Sequence, residues 1–211
     1  MRPPLRLALL ALTSALVLGL ALAVALGGFS GTSRDGSPPT SPSVSGFDGA
    51  VLPQSEHARA FTLTDQSGRR VSLSSYGGQV VVLAFLYSTC GPSCTVIAQQ
   101  IRGALDELGH PVPVLIVSAD PAADTPARVR RFLAQASLTG RVHYLTGPIS
   151  ALRPAWHAYG AVPASAGRSA FERSASVFLV DSQGRLRIVF PVEQLTPEAL
   201  AHDIGRLQSG S

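Results

Sequence analysis

The stretch Val80–Tyr87 reads VVVLAFLY, an apolar run with no polar alternation. A strand wetted on one side would alternate, so such a run belongs to a strand covered on both faces, as in a sheet sandwiched between helices. Downstream the period changes: Ile97, Ile101, Leu105 and Leu108 recur at helical spacing. A second buried strand is expected over Val112–Val117. Asp124-Thr125-Pro126 then supplies a polar cap and a proline at the first helical position, with Val129, Phe132 and Leu133 as the apolar face of the next helix. Val142–Leu145 predicts a short strand, and Ile149–Tyr159 a helix that carries Pro154. Hairpins are expected at each end of the domain. Phe61–Thr64 and Val71–Leu73 flank the turn Asp65-Gln66-Ser67-Gly68, and Val177–Val180 and Leu186–Phe190 flank Asp181-Ser182-Gln183-Gly184. Thr196-Pro197-Glu198 opens a last helix. The order hairpin, β, α, β, α, β, α, hairpin, α predicts an α/β fold, a central mixed sheet with helices on both faces.

Ahead of this pattern, Arg2 and Arg6 precede an uncharged apolar run from Leu7 to Leu26. At about 1.5 Å per residue it reaches across the roughly 30 Å of a bilayer core, and its positive flank keeps the N-terminus cytoplasmic. Residues 1–27 are therefore expected to form a transmembrane anchor that holds the domain on the extracytoplasmic side of the cell membrane. The competing reading is a signal segment, since Ala23-Val24-Ala25 resembles a cleavage site and would give a secreted protein. The run outlasts the usual 7–15-residue core of a signal, which favours the anchor. Residues 28–55 are rich in Gly, Ser and Pro and are expected to be a flexible linker, because they carry too little apolar surface to offset ordering entropy. The folded domain is expected over residues 56–211.

All 17 basic residues are arginine, and the net charge is +4. The arginines are dispersed; their densest cluster, Arg128, Arg130 and Arg131, has no interleaved aromatics, so nucleic acid is not an expected partner.

The sequence Tyr87-Ser88-Thr89-Cys90-Gly91-Pro92-Ser93-Cys94 sits where the buried strand ends and a long helix begins, and it holds both cysteines of the chain. Two cysteines this close are a local device rather than a framework of staples. Free N–H groups and the positive end of the helix dipole favour an anion at this place, so a thiol there should ionise more easily. Cys90, at the exposed junction, is the expected nucleophile and Cys94 the resolving thiol. A purely structural disulfide is the weaker reading, because closing so short a loop stabilises little. The same two thiolates could hold a soft metal ion. His57, His110, His143, His157 and His202 show no ligand spacing with the cysteines; His157, in Trp156-His157-Ala158-Tyr159, is the one candidate to complete a site. A peroxiredoxin would carry proline and threonine ahead of its cysteine, and here they are not both present.

From Phe61 to Phe190 the chain resembles the SCO/SenC proteins, a branch of the thioredoxin superfamily associated with copper delivery to cytochrome c oxidase and with thiol reduction. The resemblance is carried by Phe61-Thr62-Leu63-Thr64-Asp65 with its glycine turn, by the strand leading into Cys-x-x-x-Cys, and above all by Ser118-Ala119-Asp120-Pro121-Ala122-Ala123-Asp124-Thr125-Pro126. It implies a thioredoxin-like fold with Cys90 and Cys94 as the working site. The implied partner is a thiol- or copper-containing protein such as a cytochrome c oxidase subunit. Two departures stand out. Gly91-Pro92 lies between the cysteines, where the family usually has a polar pair. The family's copper-binding histidine falls, by count from Phe178, on Arg173. A guanidinium beside the thiols would favour thiolate and disfavour a bound cation. The expected activity is therefore thiol–disulfide exchange on a partner protein, as an oxidoreductase, with Cu(I) delivery as the alternative.

Overall fold

The computed structural model describes residues 46–210. Its strands are β1 (Ala50–Val51), β2 (Thr62–Thr64), β3 (Arg70–Ser72), β4 (Val81–Leu86), β5 (Val114–Ser118), β6 (His143–Leu145), β7 (Ser176–Val180) and β8 (Leu186–Pro191). Its helices are α1 (Pro92–Leu108), α2 (Pro126–Gln135), α3 (Ile149–Ala158), α4 (Arg168–Ser174) and α5 (Pro197–Ser209). The main sheet runs β1-β8-β7-β4-β5-β6. Strands β4, β5 and β6 are parallel, while β7, β8 and β1 add antiparallel. This is the mixed sheet that the alternation of periods predicts, and β2 and β3 form a separate hairpin.

Every residue of β4 and β5 is buried, as continuous apolar runs require. Alternation then divides the core. Val82, Ala84 and Leu86 join the side chains of α1, α2, α4 and α5 on one face, where Ile97, Ile101, Phe132, Phe171 and Ile204 lie. Val81, Leu83 and Phe85 point to the other face, under Leu152, Trp156 and Tyr159 of α3 and Phe61, Leu63 and Val71 of the hairpin. Helix α1 crosses α5 at Gly103, where a Cβ would come within 2.8 Å of the Pro197 ring. The caps are those expected: Thr125 accepts from the Arg128 N–H and Thr196 from the Ala199 N–H, each just before a proline at the first helical position.

The structure departs from the sequence-based expectation in two places. The expected linker over residues 28–55 ends early. The Asp48 and Gly49 N–H groups donate to the Asp203 carboxylate at 2.9 Å each, and Ala50–Val51 pair with β8. Gly49 lies so close to Ile188 and Phe190 that only a residue without a Cβ fits. The second departure is α4. Arg173 and Ser174 close a helix, and β7 begins only at Ser176. The apolar run at residues 7–26 lies outside the described residues; among those described, no helix is long and apolar enough to cross a membrane.

Candidate functional site at the cysteine pair

Strand β4 hands over to α1 through a tight loop. The Cys90 N–H donates to the Tyr87 carbonyl at 3.2 Å, and Gly91 turns the chain with φ 79° before Pro92 starts the helix. The turn needs glycine, because a side chain is strained at positive φ. Cys90 and Cys94 are joined as a disulfide, with Cα atoms 5.8 Å apart. Cys94 is thus in the first turn of α1, where N–H groups are free, and Cys90 precedes it in the loop.

Each cysteine is only 1% exposed. This corrects the expectation that Cys90 would be distinguished by exposure: the loop folds both cysteines against the larger core cluster. What differs is their setting. Cys90 is flanked by exposed Thr89, Gly91 and Pro92, whereas Cys94 is fixed within α1.

Neighbours from distant segments hold the loop. The Ser88 N–H donates to the Asp124 carboxylate at 2.7 Å, and the same buried carboxylate accepts from the Ser118 and Tyr144 hydroxyls at 2.6 Å each. Burial, reinforced by the Asp124 charge, pushes the Tyr144 phenol well above its ordinary pKa. The Ser88 hydroxyl itself is buried without a hydrogen-bond partner among the described residues. On the other side α4 packs against the loop. Ser93 Oγ donates to Glu172 at 3.0 Å, and Phe171 meets Tyr87 edge-on with centroids 4.8 Å apart. Burial also raises the Tyr87 pKa; the charges of Asp120, Glu172 and Asp124 add to this and Arg168 opposes it.

The cation of α4 that reaches the loop is Arg168, whose Nη1 would lie 3.4 Å from a Cβ placed on Gly91. Arg173 is exposed and its side chain makes no hydrogen bond or ion pair among the described residues. Sequence reasoning therefore chose the right segment but missed Arg168, Glu172 and Asp124 as the groups that meet the loop. For Asp124 a signal existed in its motif, where only a capping role was assigned.

The histidines lie elsewhere. The His110 ring bonds Leu108 and Gln208, the His143 ring bonds Asp65, and His57 pairs through its backbone with Arg185 as an isolated β-bridge. His157 is exposed on α3, beside Trp156. His202 contacts Asp48 and Asp203; these three are the metal-capable cluster found among the described residues, and it includes neither cysteine.

A family model described as SCO1/SenC matches residues 50–209. The chain belongs to the SCO1/SenC family. The structure of BsSco, described as a member of the Sco family of cytochrome c oxidase assembly proteins with a disulfide switch, superposes with a TM-score of 0.64 at 22% identity, over 77% of this chain and 99% of that one. This SCO1/SenC protein is also 28% identical to the SCO1 protein homolog of Bacillus subtilis over 99 residues, 45% of this chain and 51% of the relative. A Mycobacterium tuberculosis protein with a provisional peroxiredoxin name is 30% identical over 135 residues, 64% of this chain and 82% of the relative. The thioredoxin-like α/β fold expected from the sequence is thereby shown.

Proposed function

We propose that this SCO1/SenC protein performs thiol–disulfide exchange on a partner protein in respiratory oxidase assembly, with Cys90 as nucleophile and Cys94 as resolving thiol. The observation that carries the reading is the Cys90–Cys94 disulfide at the start of α1, with Arg168 close to the loop and no histidine in contact with the pair. In the reduced protein the Cys90 thiolate attacks one sulfur of a partner disulfide. The first partner sulfur leaves and takes a proton, giving a mixed disulfide. Cys94 then loses its proton and attacks the Cys90 sulfur, which closes the intramolecular disulfide and releases the second partner sulfur as a thiol. Two electrons pass to the partner, and a dithiol donor must restore the pair. Cys90 is assigned the attacking role because it lies in the loop ahead of α1 between exposed Thr89 and Gly91, whereas Cys94 is fixed within α1.

Cu(I) delivery is the second reading, favoured by family membership and by two sulfurs near enough to share one soft ion. Residues 1–27 anchor the domain on the extracytoplasmic side in both readings. One experiment separates them: the reduction potential of the full chain measured beside a Cu(I) competition titration, with Cys90→Ser and Cys94→Ser as controls. Reversible two-electron redox with weak Cu(I) binding supports exchange. Tight Cu(I) binding lost in either variant puts delivery first. Oxidation of the dithiol by hydrogen peroxide in preference to disulfides would instead favour the chemistry after which the M. tuberculosis relative is named. Protease treatment of intact cells tests the anchor, and recovery of a shorter soluble form would overturn it.

A further inference from the structure

Helix α3 is the wall of an open groove of about 620 Å³ that no step above uses. Its other wall is the loop Ala119–Ala122, and its end is closed by Gly160–Pro163 with Ser165. The groove lies at the same rim of the sheet as the disulfide. Ala119 N–H bonds the Leu86 carbonyl just before the cysteine loop, and Ala164 N–H bonds Ala119 in turn, leading into α4 and its contact with Ser93.

Along α3, Ile149, Arg153 and His157 repeat at helical spacing and all line the groove, with Trp156 beneath them. Ile149 is 51% exposed, an unusual amount for so apolar a side chain. Arg153 and His157 are exposed, and among the described residues neither side chain has a hydrogen bond or an ion pair. The opposing carboxylate, Asp120, already accepts from the Ala123 N–H. The surface therefore offers apolar seats beside a guanidinium that makes no ion pair among the described residues, with the Asp120 carboxylate on the facing wall turned to its own loop.

From this groove we infer the substrate class of the exchange reaction: an acidic, apolar segment of the partner polypeptide, with an aliphatic or aromatic side chain set against Ile149 and Trp156 and a carboxylate facing Arg153. This rests on the thiol-exchange reading and adds to it where the partner is held. The charge selects the partner, and the apolar contact aligns its sulfur with Cys90.

The test uses the reduced full chain and three probes: a cysteine peptide with leucine and glutamate neighbours, oxidised to its symmetrical disulfide, the same peptide with lysine for glutamate, and neutral 2-hydroxyethyl disulfide. The acidic peptide should be reduced about tenfold faster than the basic one, as expected for one complementary charge at a docking surface. Arg153→Glu should invert that order and Arg153→Gln should abolish it, while the rate with 2-hydroxyethyl disulfide stays unchanged in both. The same peptide ranking in the unmodified protein and in Arg153→Glu would overturn the groove. If no disulfide is reduced at all, the exchange reading fails, and the groove is then judged by binding. Trp156 is the chain's single tryptophan, so its fluorescence reports occupancy. Affinity for the acidic peptide that Arg153→Glu removes would support the groove, and affinity that this change leaves intact would overturn it.

Discussion

Asp124 shows how much one side chain can decide. It is 4% exposed and ties the cysteine loop to β5 and β6 by accepting from Ser88, Ser118 and Tyr144. Replacing it with alanine leaves the Ser88 N–H and the Ser118 hydroxyl without this acceptor and Tyr144 with only the Leu86 carbonyl at 3.4 Å, each loss worth roughly 1–3 kcal/mol, so Asp124→Ala should lose about 3 kcal/mol or more in urea unfolding. Tyr144→Phe removes one donor and spares the other two; it should cost only about 1 kcal/mol in the same measurement. A loss from Asp124→Ala no larger than that from Tyr144→Phe would show that the network does not hold the loop. Gly91 acts through the backbone instead. At φ 79° an L side chain is disfavoured, and Gly91→Ala should cost about 1–2 kcal/mol whether or not the new methyl group finds space beside Arg168.

At the scale of elements, the two hairpin turns are one device used twice. Asp65 accepts from the Ser67 and Arg69 N–H groups and pairs with the Arg69 guanidinium at 3.0 Å. Asp181 accepts from the Gln183 and Arg185 N–H groups and pairs with the Arg185 guanidinium at 2.7 Å. The first turn is also clamped to β6, because Gln66 bonds Val142 and Tyr144, and His143 bonds Asp65. Burial by itself would raise both carboxylates. The hydrogen bonds from Ser67, Arg69 and His143 outweigh it and hold Asp65 far below the usual range, and those from Arg185 and Gln183 also lower Asp181. A depressed folded pKa contributes stability above the unfolded value of about 4 and loses it as pH falls further. Urea midpoints should therefore drop from pH 5 towards pH 2, and Asp65→Asn, already weakened at neutral pH, should show a shallower drop. An equal slope in both proteins would show that Asp65 does not carry this dependence. These turns were legible in the sequence because Asp-x-x-Gly-Arg is a local pattern. Helix α4 was not: it is short, and its residues follow no apolar period, so its last turn reads equally well as the approach to a strand.

The described domain is closed along one sheet edge by the strap at residues 48–51. Asp203 is fully buried on α5 and receives the Asp48 and Gly49 N–H groups, which sets β1 on the sheet edge. Asp203→Ala should free that strap at a cost of about 1–3 kcal/mol, seen as faster amide exchange at Gly49 and Leu52 while β4 and β5 keep their protection. Unchanged exchange at those amides would mean that strand pairing alone holds it. By itself the sequence determined the periods of β4, β5 and α1, the two turns, the helix caps and the position of the cysteine pair. All of these are encoded by neighbours within a few residues, through backbone sterics and the burial of one face. Only the tertiary structure decided what surrounds the cysteines and how far they are buried. Ser88 and Asp124 are 36 positions apart and Ser93 and Glu172 are 79 apart, so their meeting depends on how layers of helix pack on the six-stranded sheet. The same packing turned Arg173 outward and brought Arg168 to the loop, a choice set by the whole core, which no local spacing records.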